Sequence, residues 1–323
     1  MRHLPKIQQI KMFNEVIRSG SIRAAARSMH LSQPALTHAL KDLEHHIGAT
    51  LLIRSNDGVT LTEAGKLFSI RAHLVLSELE KAAEEIELMA KNSYGHVAFG
   101  ISSLFGVTVL SSVINDFKRN HSKTLITIKE AQLSTLIPNL RDGRLEFLLG
   151  TVTENMPLND FIVEALFDAP FCIVARKGHP LSECSTLSEL SQAKWVIPET
   201  DMGYYNYIRQ IIPFNSPNNS NAPVQTDSVV CIINLLMNGD FLTILTRARL
   251  NTPPFSSFLS ALSVDEDLLP VSHYGLIYPK NRPLTSAANS IIERFKWHCR
   301  HYKTGSVALG EYSDNMLFFC GVA

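Results

Sequence analysis

Gln33, Thr37, His38 and Lys41 recur at a spacing that sets four polar side chains on one side of a helix. They lie in SQPALTHALKDLEHHIG, residues 32–48, whose first turn carries no carboxylate. Such a turn suits the floor of a DNA major groove. A Gln amide pairs bidentately with adenine, and a Thr reaches a polar base edge or a thymine methyl. Ser32 and Lys41, with Arg54 further on, are of the types that hold backbone phosphate. The expectation is that Gln33, Thr37 and His38 read bases, with Pro34 shaping the turn that presents them.

The elements needed to aim these side chains are legible around them. Leu36, Leu40, Leu43 and Ile47 form an apolar stripe opposite the polar face. Ser32 stands where an N-cap belongs, Pro34 falls in the first turn, and Gly48 can take the left-handed stop. Upstream, Ile10, Phe13 and Ile17 mark a first helix ending at Gly20. Ser21 then caps a short helix whose Ala24, Ala25 and Ala26 allow close packing, and Met29-His30-Leu31 makes the turn. Helix, short helix, turn and helix is the helix-turn-helix arrangement. LLIRS and GVTLT, around Asn56-Asp57-Gly58, read as a hairpin wing with Arg54 at its edge. From Thr62, a cap, to about Lys91 nothing breaks a helical pattern. Leu67/Phe68, Leu74/Val75, Leu79, Ala82/Ala83, Ile86 and Met89 make one long seam, which packs on its own domain or, as its near-heptad spacing favours, on a second copy.

Charge follows this division. The formal net charge of the 323 residues is +0, yet residues 1–55 carry eight Lys/Arg against three Asp/Glu, and residues 56–92 carry four against seven. A basic head on a neutral chain fits a module that meets phosphate while the remainder does not.

Beyond residue 93 strands alternate with helices: HVAFGIS, VLSSVINDFKRNH, LITIKEA, LSTLIPNLRDGRL and EFLLGTV, then a long extended run from Phe161. This implies α/β structure with a parallel sheet. Val97–Ile114 runs eighteen residues without a charge, but glycines and serines divide it into strand, loop and helix. In such sheets ligands bind beyond the carboxyl ends of strands, where helix N-termini present free N–H groups. Ser102-Ser103 and Gln132 occupy such loops, Thr151 ends a strand, and Thr200, Met202 and Tyr204 lie between a strand and a helix. These residues either contact a ligand or simply cap helices. No positive side chain is evident among them, so an anion would lean on N–H groups and hydroxyls.

Other chemistries lack their signatures. The five cysteines are scattered and form no CxxC pair, which points to a reducing compartment without disulfide framework or zinc site. There is no GxGxxG, P-loop, HExxH or GxSxG, the histidines show no metal spacing, and no signal-peptide core opens the chain. No catalytic residue, metal or cofactor is expected.

Residues 5–68, through FNEVIRSGSIRAAARSMHLSQPALTHALKDLEHHIGATLLIRS and GVTLTEAG, resemble the DNA-binding domain of LysR-type transcriptional regulators. His38 is a departure, since many members carry Arg, Lys or Ser there. HVAFGISSLFG, EAQLSTLIPNLRDGRLEFLLGT, MGYY and QTDSVV extend the resemblance to about residue 300, most similar to the branch containing the activator of the anaerobic threonine and serine degradation operon. The resemblance implies an N-terminal all-α winged helix-turn-helix (1–61) and a linker helix for dimerisation (62–92). It also implies a two-lobed α/β effector domain like periplasmic binding proteins (93–302), with lobe I at 93–165 and 270–302 and lobe II at 166–269. The polar loops would then converge on one cleft and take a small organic effector, with a carboxylate favoured. Implied partners are a double-stranded DNA operator, a second chain through the linker helix, a homotetramer, and RNA polymerase if the protein activates. The expected compartment is the cytoplasm, with no membrane. Residues 303–323 read only as a tail. Two rivals stay open: a cytosolic solute-binding protein with a fused basic module, and an enzyme with an unlisted site.

Overall fold

The computed structural model describes residues 4–55, 58–91, 95–153, 156–199, 221–253, 255–264 and 269–301. Asn56-Asp57, the candidate residues Thr200, Met202 and Tyr204, and the segment 303–323 lie outside the described residues. The chain divides into two compact units, residues 1–95 with 138–145, and residues 96–137 with 146–323.

The first unit begins with α1 (Ile7–Ser19), α2 (Ile22–Ser28) and α3 (Gln33–Ile47). Local chemistry sets their ends. Gly20 and Gly48 stop α1 and α3 in the left-handed region at φ 66° and 75°. Ser21 and Ser32 accept hydrogen bonds from Ala24 N and Ala35 N, so both serines act as caps. His30 also takes a positive φ, 54°, and the Leu31 N–H returns to Ala26 O at 2.9 Å, closing the turn between α2 and α3. Phe13, Val16, Ala25, Leu36, Leu40, Leu43 and Leu51 form a small buried core. Ile47, expected on the same stripe, is instead 36% exposed. The core ends one helical turn before it.

The wing is β1 (Leu52–Ser55) paired antiparallel with β2 (Gly58–Leu61), and α4 (Glu63–Lys91) follows. Thr62 Oγ1 accepts from Gly65 N at 2.9 Å and donates to Thr50 O at 2.8 Å, capping α4 and tying it to the wing. The expected single seam on α4 is two. Phe68, Ala72 and Leu76 turn inward with Ile10, and Phe68 meets Phe13 edge to face at 5.2 Å. Leu67, Val75, Leu79 and Ile86 point outward, with Leu67 65% and Ile86 68% exposed. Adjacent apolar residues on a helix differ by about 100° in direction, so paired positions such as Leu67/Phe68 serve different faces. Further along, Ser77 Oγ and Lys81 Nζ both donate to Gly143 O at 3.2 Å, inside the same unit.

From residue 96 the chain runs β3 (His96–Ile101), α5 (Ser103–Val107), α6 (Leu110–Asn120), β4 (Leu125–Glu130), α7 (Leu133–Arg141), whose last turn falls in the first unit, and β5 (Phe147–Val152). The long β6 (Phe161–Arg176), a 3-10 turn, β7 (Lys194–Pro198) and β8 (Val224–Thr226) come next. Then come α8 (Val229–Asn238), β9 (Phe241–Thr246), α9 (Arg247–Leu250), α10 (Phe255–Phe258), β10 (Leu259–Ala261), β11 (Val271–Pro279) and α11 (Ser286–His301). The strands lie in the order β4-β3-β5-β11-β6-β9-β7-β8, with β10 also on β6. The expected parallel sheet is mixed. β3, β4 and β5 are mutually parallel, as are β7, β8 and β9, but β11 and β6 run antiparallel to their neighbours. A chain that leaves one parallel group and later returns must cross in both directions, which puts two opposed strands in the middle. No described helix is long and apolar enough to cross a membrane.

A Cβ at Gly65 would stand 2.0 Å from the Leu51 carbonyl oxygen, a backbone atom. Gly65→Ala should therefore destabilise the first unit by about 1–3 kcal/mol despite alanine's better helix propensity. Urea unfolding followed by circular dichroism checks this, and an unchanged or raised midpoint would refute it.

Candidate functional site

The polar face of α3 stands clear of its core. Ser32, Gln33, Pro34, His38 and Lys41 are exposed and Thr37 half-buried, while Leu36, Leu40 and Leu43 on the opposite side are buried. The helix thus presents the expected side chains along its N-terminal half. His38 is not an isolated ring, because its Nδ1 lies 3.1 Å from Asp42 Oδ2 one turn on. That contact orients the imidazole and brings a carboxylate near the face.

The wing is fastened to α3 by Glu44. Its Oε1 accepts the N–H groups of Leu51 and Leu52 at 2.8 and 3.1 Å, and its Oε2 lies 3.5 Å from Arg54 Nη2. Arg54 therefore sits at the wing's edge, as expected, but pairs with a carboxylate of the recognition helix. Any phosphate approaching this edge would compete with Glu44 for the guanidinium.

In the second unit one cavity of about 530 Å³ gathers Ser102, Ser103, Gln132 and Thr151, four of the seven effector positions expected from sequence. Each is placed by a strand end. Ser102 is the N-cap of α5 after β3, and its backbone N–H donates to Leu149 O at 2.8 Å. Thr151 lies in β5 opposite Tyr274 of β11. Gln132 precedes α7, and its Nε2 donates to Glu199 O just past β7 at 2.7 Å. Glu199 N in turn donates to Thr226 O at 2.8 Å, so the Gln132 side chain spans from the β4–α7 loop to the strands of the other parallel group.

The cavity also holds residues that the sequence reading missed. Arg249 of α9 lines it while only 6% exposed, and its Nη2 donates to Ser103 Oγ at 2.9 Å. The expectation of a site without a positive side chain is overturned by this guanidinium, which stays charged at any accessible pH. Thr246 and Ser272, 3% and 0% exposed, line the same cavity. Their hydroxyls, with that of Ser102, are buried without a hydrogen-bond partner among the described residues. Buried polar atoms are normally paired, so a set of such hydroxyls around one cavity marks a place where a polar ligand or water belongs. The signal for Thr246 and Arg249 was present in FLTILTRAR, a strand running directly into a helix, the same rule that picked out Ser102 and Gln132. Ser272 is set in place by the antiparallel pairing of β11 with β6 and had no local signal.

A winged helix-turn-helix with an exposed polar recognition face, in one chain with an α/β domain holding a polar cavity, defines a ligand-responsive DNA-binding regulator. Comparison with known proteins agrees. The profile of the bacterial regulatory helix-turn-helix protein, lysR family, matches residues 7–66, and that of the LysR substrate binding domain matches residues 91–300. The chain belongs to the LysR family of DNA-binding transcriptional regulators, and is not an enzyme. It is 40% identical to the HTH-type transcriptional regulator TdcA of Escherichia coli K12 over 91% of this chain and 93% of that protein. Among solved structures, ArgP from Mycobacterium tuberculosis superposes with a TM-score of 0.68 at 15% identity over 92% of this chain and 98% of its own. Full-length CbnR complexed with its target DNA gives 0.63 at 17% identity over 92% and 99%. These two likenesses bear on the fold.

Removing the Glu44 carboxylate should leave two largely buried N–H groups unpaired. Glu44→Ala is expected to cost about 1–3 kcal/mol and to detach the wing. Amide hydrogen exchange at Leu51 and Leu52 checks this; unchanged protection at both would show that Glu44 does not hold the wing.

Proposed function

We propose that this regulator is switched by a small carboxylate effector held in the cavity of its α/β domain. The observation that carries this is Arg249, a cation with fixed charge, lining a concave site of ordinary ligand size together with Ser103 and the unpartnered hydroxyls of Ser102, Thr246 and Ser272. Ser102, Ser103, Gln132 and Thr151 contribute from the β3, β4 and β5 side, and we assign Thr200, Met202 and Tyr204 to the facing side. We divide the chain into a head at 1–61, a linker helix at 62–92 and an effector domain at 93–302. The two lobes of that domain are 93–165 with 270–302, and 166–269. A ligand that touches both lobes favours the closed arrangement by its differential affinity for the two.

On DNA, we assign base reading to Gln33, Thr37 and His38, and backbone holding to Ser32, Lys41 and Arg54, with Pro34 shaping the turn. The exposed Leu67, Val75, Leu79 and Ile86 support pairing of two linker helices. Two heads would then meet half-sites roughly 34–36 Å apart. A homotetramer in the cytoplasm, contacting RNA polymerase where it activates, completes the reading.

Ser103→Ala should weaken the effector response and leave operator affinity unchanged, which calorimetry beside a DNA-binding assay on one preparation measures. Equal effector affinity in the variant and the parent would move the site elsewhere. Gln33→Ala should cost about 1–3 kcal/mol on the cognate operator and relax preference at one base pair. A competition assay with single-base operator variants tests this, and unaltered preference would remove Gln33 from base reading.

A further inference from the structure

The cavity lining carries charge of both signs. Ser103, which accepts from Arg249 at 2.9 Å, and Gly106 are three residues apart on α5. A Cβ built on Gly106 would meet Glu130 Oε2 at 3.4 Å, so the Glu130 carboxylate lies over the bare backbone of that position. Residues three apart on a helix are neighbours about 5–6 Å apart. Arg249 and Glu130 thus meet α5 at positions one helical turn apart, and both line the cavity. Asp227, just before α8, adds a second carboxylate to the lining.

A plain carboxylate would be drawn to Arg249 but repelled by Glu130 and Asp227, and a plain cation would suffer the reverse. The arrangement suits a small ligand that itself carries both signs. We propose that the effector is an α-amino acid in its zwitterionic form. Its carboxylate is held by Arg249 and Ser103, with the buried hydroxyls of Thr246 and Ser272 at hand, and its ammonium by Glu130, with Asp227 contributing at the same cavity. The side chain of the amino acid then faces the apolar part of the lining, where Leu104, Phe171 and Tyr274 lie. This inference rests on the effector cavity proposed above and sharpens its ligand class.

The test uses the full chain and three matched series: the protein amino acids that carry a primary α-amine, the corresponding 2-oxo acid of each, and the corresponding decarboxylated amine. Thermal shift finds binders and calorimetry measures them. One or a few amino acids should bind, and both analogues of each should bind roughly tenfold more weakly or worse, since each lacks one charge-assisted contact. Glu130→Gln, an exposed position safe for folding, should weaken the amino acid by about as much and spare the 2-oxo acid. Arg249→Lys should weaken both. A 2-oxo acid that binds as tightly as its amino acid, or an unchanged Glu130→Gln variant, overturns the zwitterion. The carboxylate reading then stands if Arg249→Lys or Ser103→Ala still weakens binding. Failure of every compound in the three series also overturns the proposal. An amino acid that binds equally to all three variants removes the site from this cavity and overturns both readings.

Discussion

The sixteen extended residues of Phe161–Arg176 are the constraint on which the α/β unit depends. Their backbone groups need partners along the whole length, and the partner changes as the strand proceeds. Residues 161–170 pair with β11, residues 171–174 with β9, and residues 174–176 with β10. Side chains alternate between the two faces of the sheet, so one strand supplies several cores. Phe167 and Ala169 enter the core that holds Phe99, Phe105 and Phe295. Phe171, Ile173 and Ala175 join Trp195, and Cys172 and Val174 on the other face join Ile232 and Leu236. The cavity opens where this handover happens, with Phe171 and Ser272 in its wall.

Placing Arg249 there has an electrostatic cost that the surroundings offset. Arg249 is only 6% exposed, so its guanidinium gives up most of its hydration and nearby oxygen atoms must replace it. Ser103 supplies one of them. The same desolvation raises the effective strength of any charge that enters, because fewer waters screen the pair. A surface arginine would select anions weakly, whereas this one selects on geometry as well as sign.

How much of this was legible in the sequence follows from how local each determinant is. Caps and stops such as Ser21, Ser32, Thr62, Gly20 and Gly48 act within one helical turn, and all five could be read from residue type and spacing. The polar face of α3 was legible for the same reason. The limits appeared where tertiary partners decide. Ile47 has the right spacing for the core but no core opposite it. The apolar residues of α4 divide between two faces because α1 claims only Phe68, Ala72 and Leu76. The antiparallel setting of β6 and β11 depends on the route of the chain, not on strand composition, so alternation alone suggested a parallel sheet. Arg249 carried the local signal of a strand running into a helix, but which cavity it enters depends on β9 lying beside β6. Of the candidate residues, Ser102, Ser103, Gln132 and Thr151 line the cavity and Thr200, Met202 and Tyr204 lie outside the described residues, while Thr246 and Arg249, which also follow a strand, were not singled out.

The close approach of Gly65 to Leu51 bears on how heads can be exchanged among related regulators. The first turns of α4 are bonded to the wing through Thr62, pressed against Leu51 at Gly65, and packed on α1 through Phe68, Ala72 and Leu76. A chimera joined at the hairpin's end, near residue 61, would therefore cut through a rigid body and place a foreign side chain against a carbonyl. The natural splice point lies just after Leu76, before Ser77 and Lys81 bond to Gly143 O. A donor head should carry its own first four turns of linker helix, and the phase of the helix across the junction then fixes the angle at which the new head meets DNA.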